Sequence, residues 1–471
     1  MSDAAETASA FATIAELADA LARGRTTSTA IIRRALDRVS AHDPSLHAFV
    51  ALFSEAALQA ATAADERRAR GASHGPLDGL PFAVKDLFHV DGYPTAAGSK
   101  ALGDGPATAT ANAVRRLTSA GMIALGKVQT VEFAFGSWGT NAVLGTPLNP
   151  REPAVPRAPG GSSSGSGVAV AAGLVPAALG TDTGGSVRNP AAMCGIVGLK
   201  TSVGLIGRGG LLPLAASFDS VGPMTRSVED AAILLAALQG QDADDPATFG
   251  IMPADPLRHL GDGVAGLRLR IPAARDLTAV EDDVLRLFKA TIDELATLGA
   301  EITQKPMPRR PEEYMAVTGD LMAAESWHYL HRYVAPEDSV VHPIIRNRIL
   351  HGKTIDGAHY QELVAMRRCA QIDFHRYLAD ADAFLTPTAP ILPRPLAEID
   401  EGKTPLGTFT RMVNLMDMAA LSVPAGLVDR LPVALQIVVR RFQDPLALRI
   451  GRALELRRGG LFVPPAGYAE P

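Results

Sequence analysis

Through the first 70 residues, apolar positions recur at helical spacing, with Gly and Pro as punctuation. Thr13-Ile14-Ala15-Glu16 has the form of a capping box, in which the Thr hydroxyl and the Glu carboxylate each accept an otherwise unpaired backbone amide. It predicts a helix running to Arg23 and stopped at Gly24. Two more helices are predicted over about 28–41 and 54–70, the second closed by Gly71. The pattern then changes: residues 79–86 are a short apolar run between Gly and Pro, which predicts a buried strand ending near Lys85 and Asp86.

From there helix and strand alternate. Helices are predicted near 110–119 and 168–172, from a Ser227 cap to Leu238, and over 279–298. Strands are predicted at 122–125, 175–180, 266–271, 301–304, 383–386 and 431–439. Such alternation implies an α/β protein with a mixed, largely parallel central sheet covered by helices on both faces. Residues 306–380 interrupt it with a mostly helical stretch. Without repeats or long linkers, residues 1–471 read as a single large domain: N-terminal helices over 1–74, a core over 75–240, the helical stretch, and a return to the core over 381–471.

The chain has 45 Lys+Arg against 50 Asp+Glu, a formal charge of −5, and 47% hydrophobic residues. Wholesale disorder is excluded, and the slightly acidic balance argues against a nucleic-acid partner. Two cysteines, Cys194 and Cys369, suggest neither a disulfide framework nor a zinc site. The acidic start, Met1-Ser2-Asp3-Ala4-Ala5-Glu6, is unlike a secretory leader. Apolar stretches such as 168–179 fall short of the ~20 residues a membrane span needs. A cytoplasmic protein that touches no membrane is therefore expected. Six histidines (328, 331, 342, 351, 359 and 375) follow no H-E-x-x-H or H-x-H spacing, so they read as structural or solvated and no metal is expected. Only eight of the 45 basic residues are lysines, so a Lys in an apolar run such as 80–85 calls for an explanation.

Chemistry concentrates in Gly160-Gly161-Ser162-Ser163-Ser164-Gly165 and Gly180-Thr181-Asp182-Thr183-Gly184-Gly185-Ser186-Val187-Arg188. A flexible linker does not fit, because the first piece runs straight into the apolar stretch 168–172. A phosphate cradle lacks its Gly-Lys-Ser/Thr ending. A nucleophile elbow centred on Ser163 lacks the preceding strand, since 150–159 is Pro-rich.

Together, the Lys85 strand and these two segments resemble the amidase signature family of serine hydrolases. The likeness continues through residues 195–201, 217–224, 421–426 and 431–436. It implies a Ser-Ser-Lys triad: Ser186 the nucleophile, Ser162 a proton relay and Lys85 the base. Physical chemistry asks for the same things. A serine hydroxyl needs a base, and lysine serves only when neutral, so burial must lower its pKa from about 10.4. Arginine does not lose its proton in proteins.

Family resemblance further implies an oxyanion hole of backbone amides at Thr183, Gly184, Gly185 and Ser186, and a cis peptide at Gly161–Ser162. It implies a brace between Asp182 and Arg188, support from Ser163, and no cofactor. Phe133, Phe135 and Trp138 fall in a segment that lines the pocket mouth in relatives, and 306–380 is expected to supply the rest. The substrate expected is a small or aryl amide, or a urea or carbamate, since 406–415 faintly resembles urea-cleaving relatives. Expected partners are that small molecule alone, with no nucleic acid, for a monomer or homodimer. The alternative is the A subunit of glutamyl-tRNA amidotransferase, which frees ammonia from glutamine. Relatives of that kind hold glutamine with a carboxylate seven residues before the Asn of an Asn-Leu pair; the matching residue here is Gly407.

Overall fold

The computed structural model describes residues 9–468, and the acidic start lies outside them. Thr13 forms its capping box: its hydroxyl accepts from the Glu16 amide at 3.1 Å and the Glu16 carboxylate accepts from the Thr13 amide at 2.7 Å, opening the helix Ile14–Ala22. The next helices are Ser28–Leu46, longer than expected because Pro44 sits within it without ending it, and Ser54–Ala69.

Eleven strands follow in chain order among the described residues: β1 Phe49–Leu52, β2 Pro81–Lys85, β3 Ile123–Val128, β4 Ala177–Asp182, β5 Val197–Lys200, β6 Ser220–Thr225. The remainder are β7 Arg268–Pro272, β8 Glu301–Lys305, β9 Ala383–Pro387, β10 Ala419–Val428 and β11 Leu431–Val439. They form one sheet in the order β1-β3-β2-β4-β6-β5-β10-β11-β9-β7-β8. The sheet is mixed and helix-covered, as expected, in a single α/β domain. Its antiparallel share exceeds what helix–strand alternation suggests. Parallel pairing is confined to two flanks, β2 with β3 and β4, and β7 with β8 and β9. The centre is antiparallel because β6 inserts between β4 and β5, and β10 and β11 form a hairpin.

Strand alternation decides what Lys85 faces. Along β2, Phe82 and Val84 enter the apolar cluster shared with the helices Asn112–Ser119 and Val228–Leu238. Ala83 enters the opposite cluster, with Val168 and Ala169 of the helix Ser164–Ala171. Successive strand side chains point to opposite faces, so Lys85 shares the face of Ala83. Phe82 and Val84 are fully buried, each worth about 1.5–3 kcal/mol of transfer free energy, which fixes the register that carries Lys85. A third apolar cluster gathers the helices Pro311–Val334, Pro343–His351 and Gly357–Tyr377 beside the short helix Arg411–Leu415. No helix among the described residues is long and apolar enough to cross a membrane.

Candidate active site

Lys85 closes β2 and has no solvent exposure. Its Nζ lies 2.8 Å from Ser162 Oγ and 2.8 Å from Thr181 Oγ1 on β4. The neighbouring carboxylate is not its partner: Asp86 pairs with Lys127 at 2.6 Å. Burial lowers the Lys85 ammonium to about 7, against the opposing charges of Asp182 and Asp219. Sequence reasoning missed Thr181, the second hydroxyl on the amine.

Ser162 follows a cis Gly161–Ser162 peptide, as the family resemblance implies. Its carbonyl accepts from the Val131 amide and the Thr130 hydroxyl, both at 3.1 Å, which pins the segment to the end of β3. Ser163 is turned elsewhere. Its hydroxyl donates to the Thr181 carbonyl at 3.3 Å, and its amide donates to the Ser186 carbonyl at 3.1 Å, tying the two Gly/Ser segments together. A nucleophile elbow is thus ruled out on geometry as well, because that hydroxyl is buried against backbone.

The loop after β4 is built around one carboxylate. Asp182 accepts from the Gly185 amide at 2.9 Å and the Val187 amide at 3.1 Å, and takes a two-pronged hydrogen bond from Arg188 at 2.8 and 2.9 Å. Both side chains are fully buried. Burial by itself would raise the Asp182 carboxyl, but Arg188 outweighs it and holds the group far below the usual carboxylate range. Arg188 also donates to the Thr410 carbonyl, Gln436 and Asn414, so it is fully engaged. Asn414 and Gln436, missed in this role, come from well over 200 residues away along the chain.

Of the amides expected to face a carbonyl oxygen, that of Gly185 is therefore committed to Asp182. Those of Gly184 and Ser186 donate to no protein group among the described residues. Gly185 has φ +121°, and a Cβ there would run into the Thr410 hydroxyl; at Gly184 the nearest contacts would be an ordinary 3.4 Å. The steric demand for glycine falls on 185. Thr183 turns its hydroxyl to Asp219 at 2.5 Å, and burial raises that carboxyl to about 6.

Ser186 lines a cavity of about 30 Å³ together with Phe135, Met322, Arg348, Thr404 and Arg411. No hydrogen bond joins its hydroxyl to Ser162 among the described residues, so the structure joins Lys85 to Ser162 and leaves Ser186 on the cavity side. From the stretch 306–380, Met322 and Arg348 line this cavity. Trp138 requires correction. It does not line this cavity: its indole N–H donates to the Asp400 and Lys403 carbonyls, and its ring packs with Ala158, Ala192 and Met193. A larger cavity, about 570 Å³, shares Phe135, Arg348, Thr404 and Arg411 with the inner one and extends to Asp320 and His351, which pair at 2.9 Å. Among the described residues no three His, Cys, Asp or Glu side chains cluster as a metal site would require.

A buried lysine hydrogen-bonded to a serine, beside a second serine on a glycine-rich turn, sets the frame for comparison with known proteins. The family model Amidase matches residues 30–448, and the chain belongs to that family, the amidase signature enzymes. Among its relatives is the A subunit of glutamyl-tRNA(Gln) amidotransferase from Chloroflexus aurantiacus, 36% identical over 93% of this chain and 94% of that protein. Among solved structures, a vestigial protein complex that reveals the evolutionary origins of an s-triazine catabolic enzyme contains a chain 32% identical, with TM-score 0.88 over 96% of this chain and 100% of the other. Peptide amidase from Stenotrophomonas maltophilia is 30% identical, with TM-score 0.84 over 96% of this chain and 98% of that one.

These relatives correct one expectation. A small-molecule substrate with no nucleic-acid involvement does not fit a family neighbourhood in which near full-length relatives are named for glutamyl-tRNA(Gln). The overall charge that suggested it, −5, is a whole-chain sum and carries no information about a partner held through another subunit.

Proposed function

We propose that the chain is an ammonia-releasing amide hydrolase of the kind that an amidotransferase A subunit contributes, with Ser186 as the acylated residue. Neutral Lys85 draws a proton through Ser162 once Ser186 turns about χ1 towards it, and Ser186 attacks the carboxamide carbon. The free amides of Gly184 and Ser186 hold the oxyanion, with Thr183 and Gly185 shaping the loop around them. The same relay returns the proton to the departing nitrogen, and water then cleaves the ester. Asp182 and Arg188 keep the turn rigid, and Ser163 links it to the Ser162 segment.

The observation that supports this best is the 2.8 Å contact between Ser162 and a lysine whose ammonium burial lowers to about 7 and that no carboxylate pairs. The amidotransferase setting draws on the names of the relatives and places ammonia transfer to glutamyl-tRNA(Gln), with partner subunits, at the end of the reaction. Ammonia release from glutamine, measured alone and with such partner subunits and charged tRNA, tests it. No stimulation by either would reject the amidotransferase setting, and equal release by Ser186→Ala would reject the nucleophile.

A second reading, cleavage of a urea or carbamate nitrogen, is favoured by Gly407, which stands where glutamine-using relatives place a carboxylate. It also draws on the structural neighbour that bears on the origins of an s-triazine catabolic enzyme. Biuret and aryl carbamates in the same assay distinguish it.

A further inference from the structure

Of the buried side-chain atoms that lack a hydrogen-bond partner among the described residues, two belong to the lining of the Ser186 cavity: Ser137 Oγ and Asn189 Oδ1. A buried oxygen without a donor is costly, and two of them in one small cavity mark a place where a donor binds.

The backbone says what that place faces. Asn189, in the helix Arg188–Cys194, is 1% exposed, and its amide donates to the Gly185 carbonyl at 2.6 Å. A Cβ at Gly160 would stand 2.8 Å from the Asn189 carbonyl oxygen. Ser137 is fixed through its own carbonyl, which accepts from the Gly161 amide at 2.7 Å. Both residues therefore abut the segment 160–162, which carries the relay hydroxyl. The leaving nitrogen must lie against that segment, because the relay has to hand it a proton. The space matches as well. About 30 Å³ is the room one water or one ammonia takes, with nothing over for an alkyl group on nitrogen. The acyl part has the adjoining cavity of about 570 Å³.

We infer that Ser137 and Asn189 form a leaving-group subsite that accepts the two N–H bonds of an unsubstituted amide nitrogen, so that the enzyme releases ammonia and discriminates against N-alkyl amides and esters. This inference rests on the hydrolysis proposed above and specifies the bond it cleaves. As the tetrahedral adduct collapses, the oxyanion electron pair re-forms the carbonyl and the C–N bonding pair passes to nitrogen. Ser162 gives that nitrogen its hydroxyl proton and recovers one from the Lys85 ammonium. The ammonia formed has three N–H bonds, one made by Ser162 and two held by Ser137 and Asn189. An ester oxygen brings no hydrogen to these acceptors, and a site built around such bonds rejects an analogue that lacks them.

The test measures kcat/KM for glutamine and butyramide, each beside the matching N-methylamide and methyl ester, in the wild type, Ser137→Ala, Asn189→Leu and Ser186→Ala. An amide and its ester pass through one acyl-enzyme, so the comparison reads acylation alone. Fluorophosphonate labelling of Ser186 shows that each variant retaining that serine is folded; if Asn189→Leu fails to label, Ser137→Ala decides alone. In the wild type the primary amide should exceed its N-methylamide by about 100-fold, and each variant should lower the amide-to-ester ratio by about 10-fold. An unchanged amide-to-ester ratio in the variants, or a wild type that cleaves the N-methylamide as fast as the primary amide, would overturn the inference and leave amide hydrolysis standing. No turnover of any amide above Ser186→Ala would overturn both.

Discussion

Asp86 reaches past its chain neighbour Lys85 to pair with Lys127 at 2.6 Å. The consequence is that Lys85 ends its strand with hydroxyls, not carboxylates, around its amine. A salt bridge there would fix the ammonium form; two hydroxyls leave the neutral form accessible.

Activity should follow the neutral amine. With Lys85 at about 7, kcat/KM should rise with pH through that region and level off above it. Lys85→Met should lower kcat by about 10³-fold, within the range general-base catalysis supplies. A pH–rate profile flat from about 5 to 9 would contradict the assignment. Stability follows the same shift. The unfolded lysine keeps its proton up to about 10.5, so this residue's contribution falls as pH drops from there to about 7 and is flat below.

Asp219 tunes that base. Its negative charge raises the Lys85 pKa. Asp219→Asn should therefore move the acid limb of kcat/KM to lower pH. A limb that stays in place, or moves upward, would show that the two groups are not coupled.

Removing Arg188 would leave a buried carboxylate without its counter-charge. Arg188→Met should cost about 3–5 kcal/mol in denaturant unfolding. Arg188→Lys should recover little of it, because one ammonium cannot serve Asp182, the Thr410 carbonyl, Gln436 and Asn414 together. A loss below ~1 kcal/mol for the Met variant, the surface-pair range, would show that the brace is dispensable.

The two glycines of the turn should behave differently. Gly185→Ala meets both a positive φ and a clash with the Thr410 hydroxyl, and should lose most activity and melt lower. Gly184→Ala should fold like the wild type. Matched melting curves would refute this if the two variants proved alike.

Local signals made much of the fold legible in the sequence. The Thr13 capping box, the Pro/Gly-bounded β2 and the Ser227 cap are each decided by neighbours along the chain. What the sequence hid was pairing. The segment Ser220–Thr225 contains Gly222 and Pro223, residues that normally speak against a strand, yet Pro223 pairs opposite Leu179 in the middle of the sheet. In the site, Lys85, Ser162, Ser186, Asp182 and Arg188 lie in two short segments and one strand that announce themselves. Thr181 falls within the second of those segments but has no separate signal. Asp219, Asn414, Gln436, Arg348 and Arg411 reach the site only through folding. The rarity of lysine was a partial guide: Lys127 and Lys200 are also buried, the first paired with Asp86 and the second donating to the Thr201 and Met418 carbonyls.

Lys85 and Asp182 stand on the great sheet, whereas Arg348 and Arg411 ride on helices whose apolar faces, through Ile345, Ile349, Met412 and Val413, belong to a separate cluster. Variants at position 348 would change one cavity wall with the Lys85–Ser162 contact undisturbed, whereas changes in the short helix reach the turn through Thr410 and Asn414. For an engineer, one wall can be rebuilt at will and the other is wired to turnover.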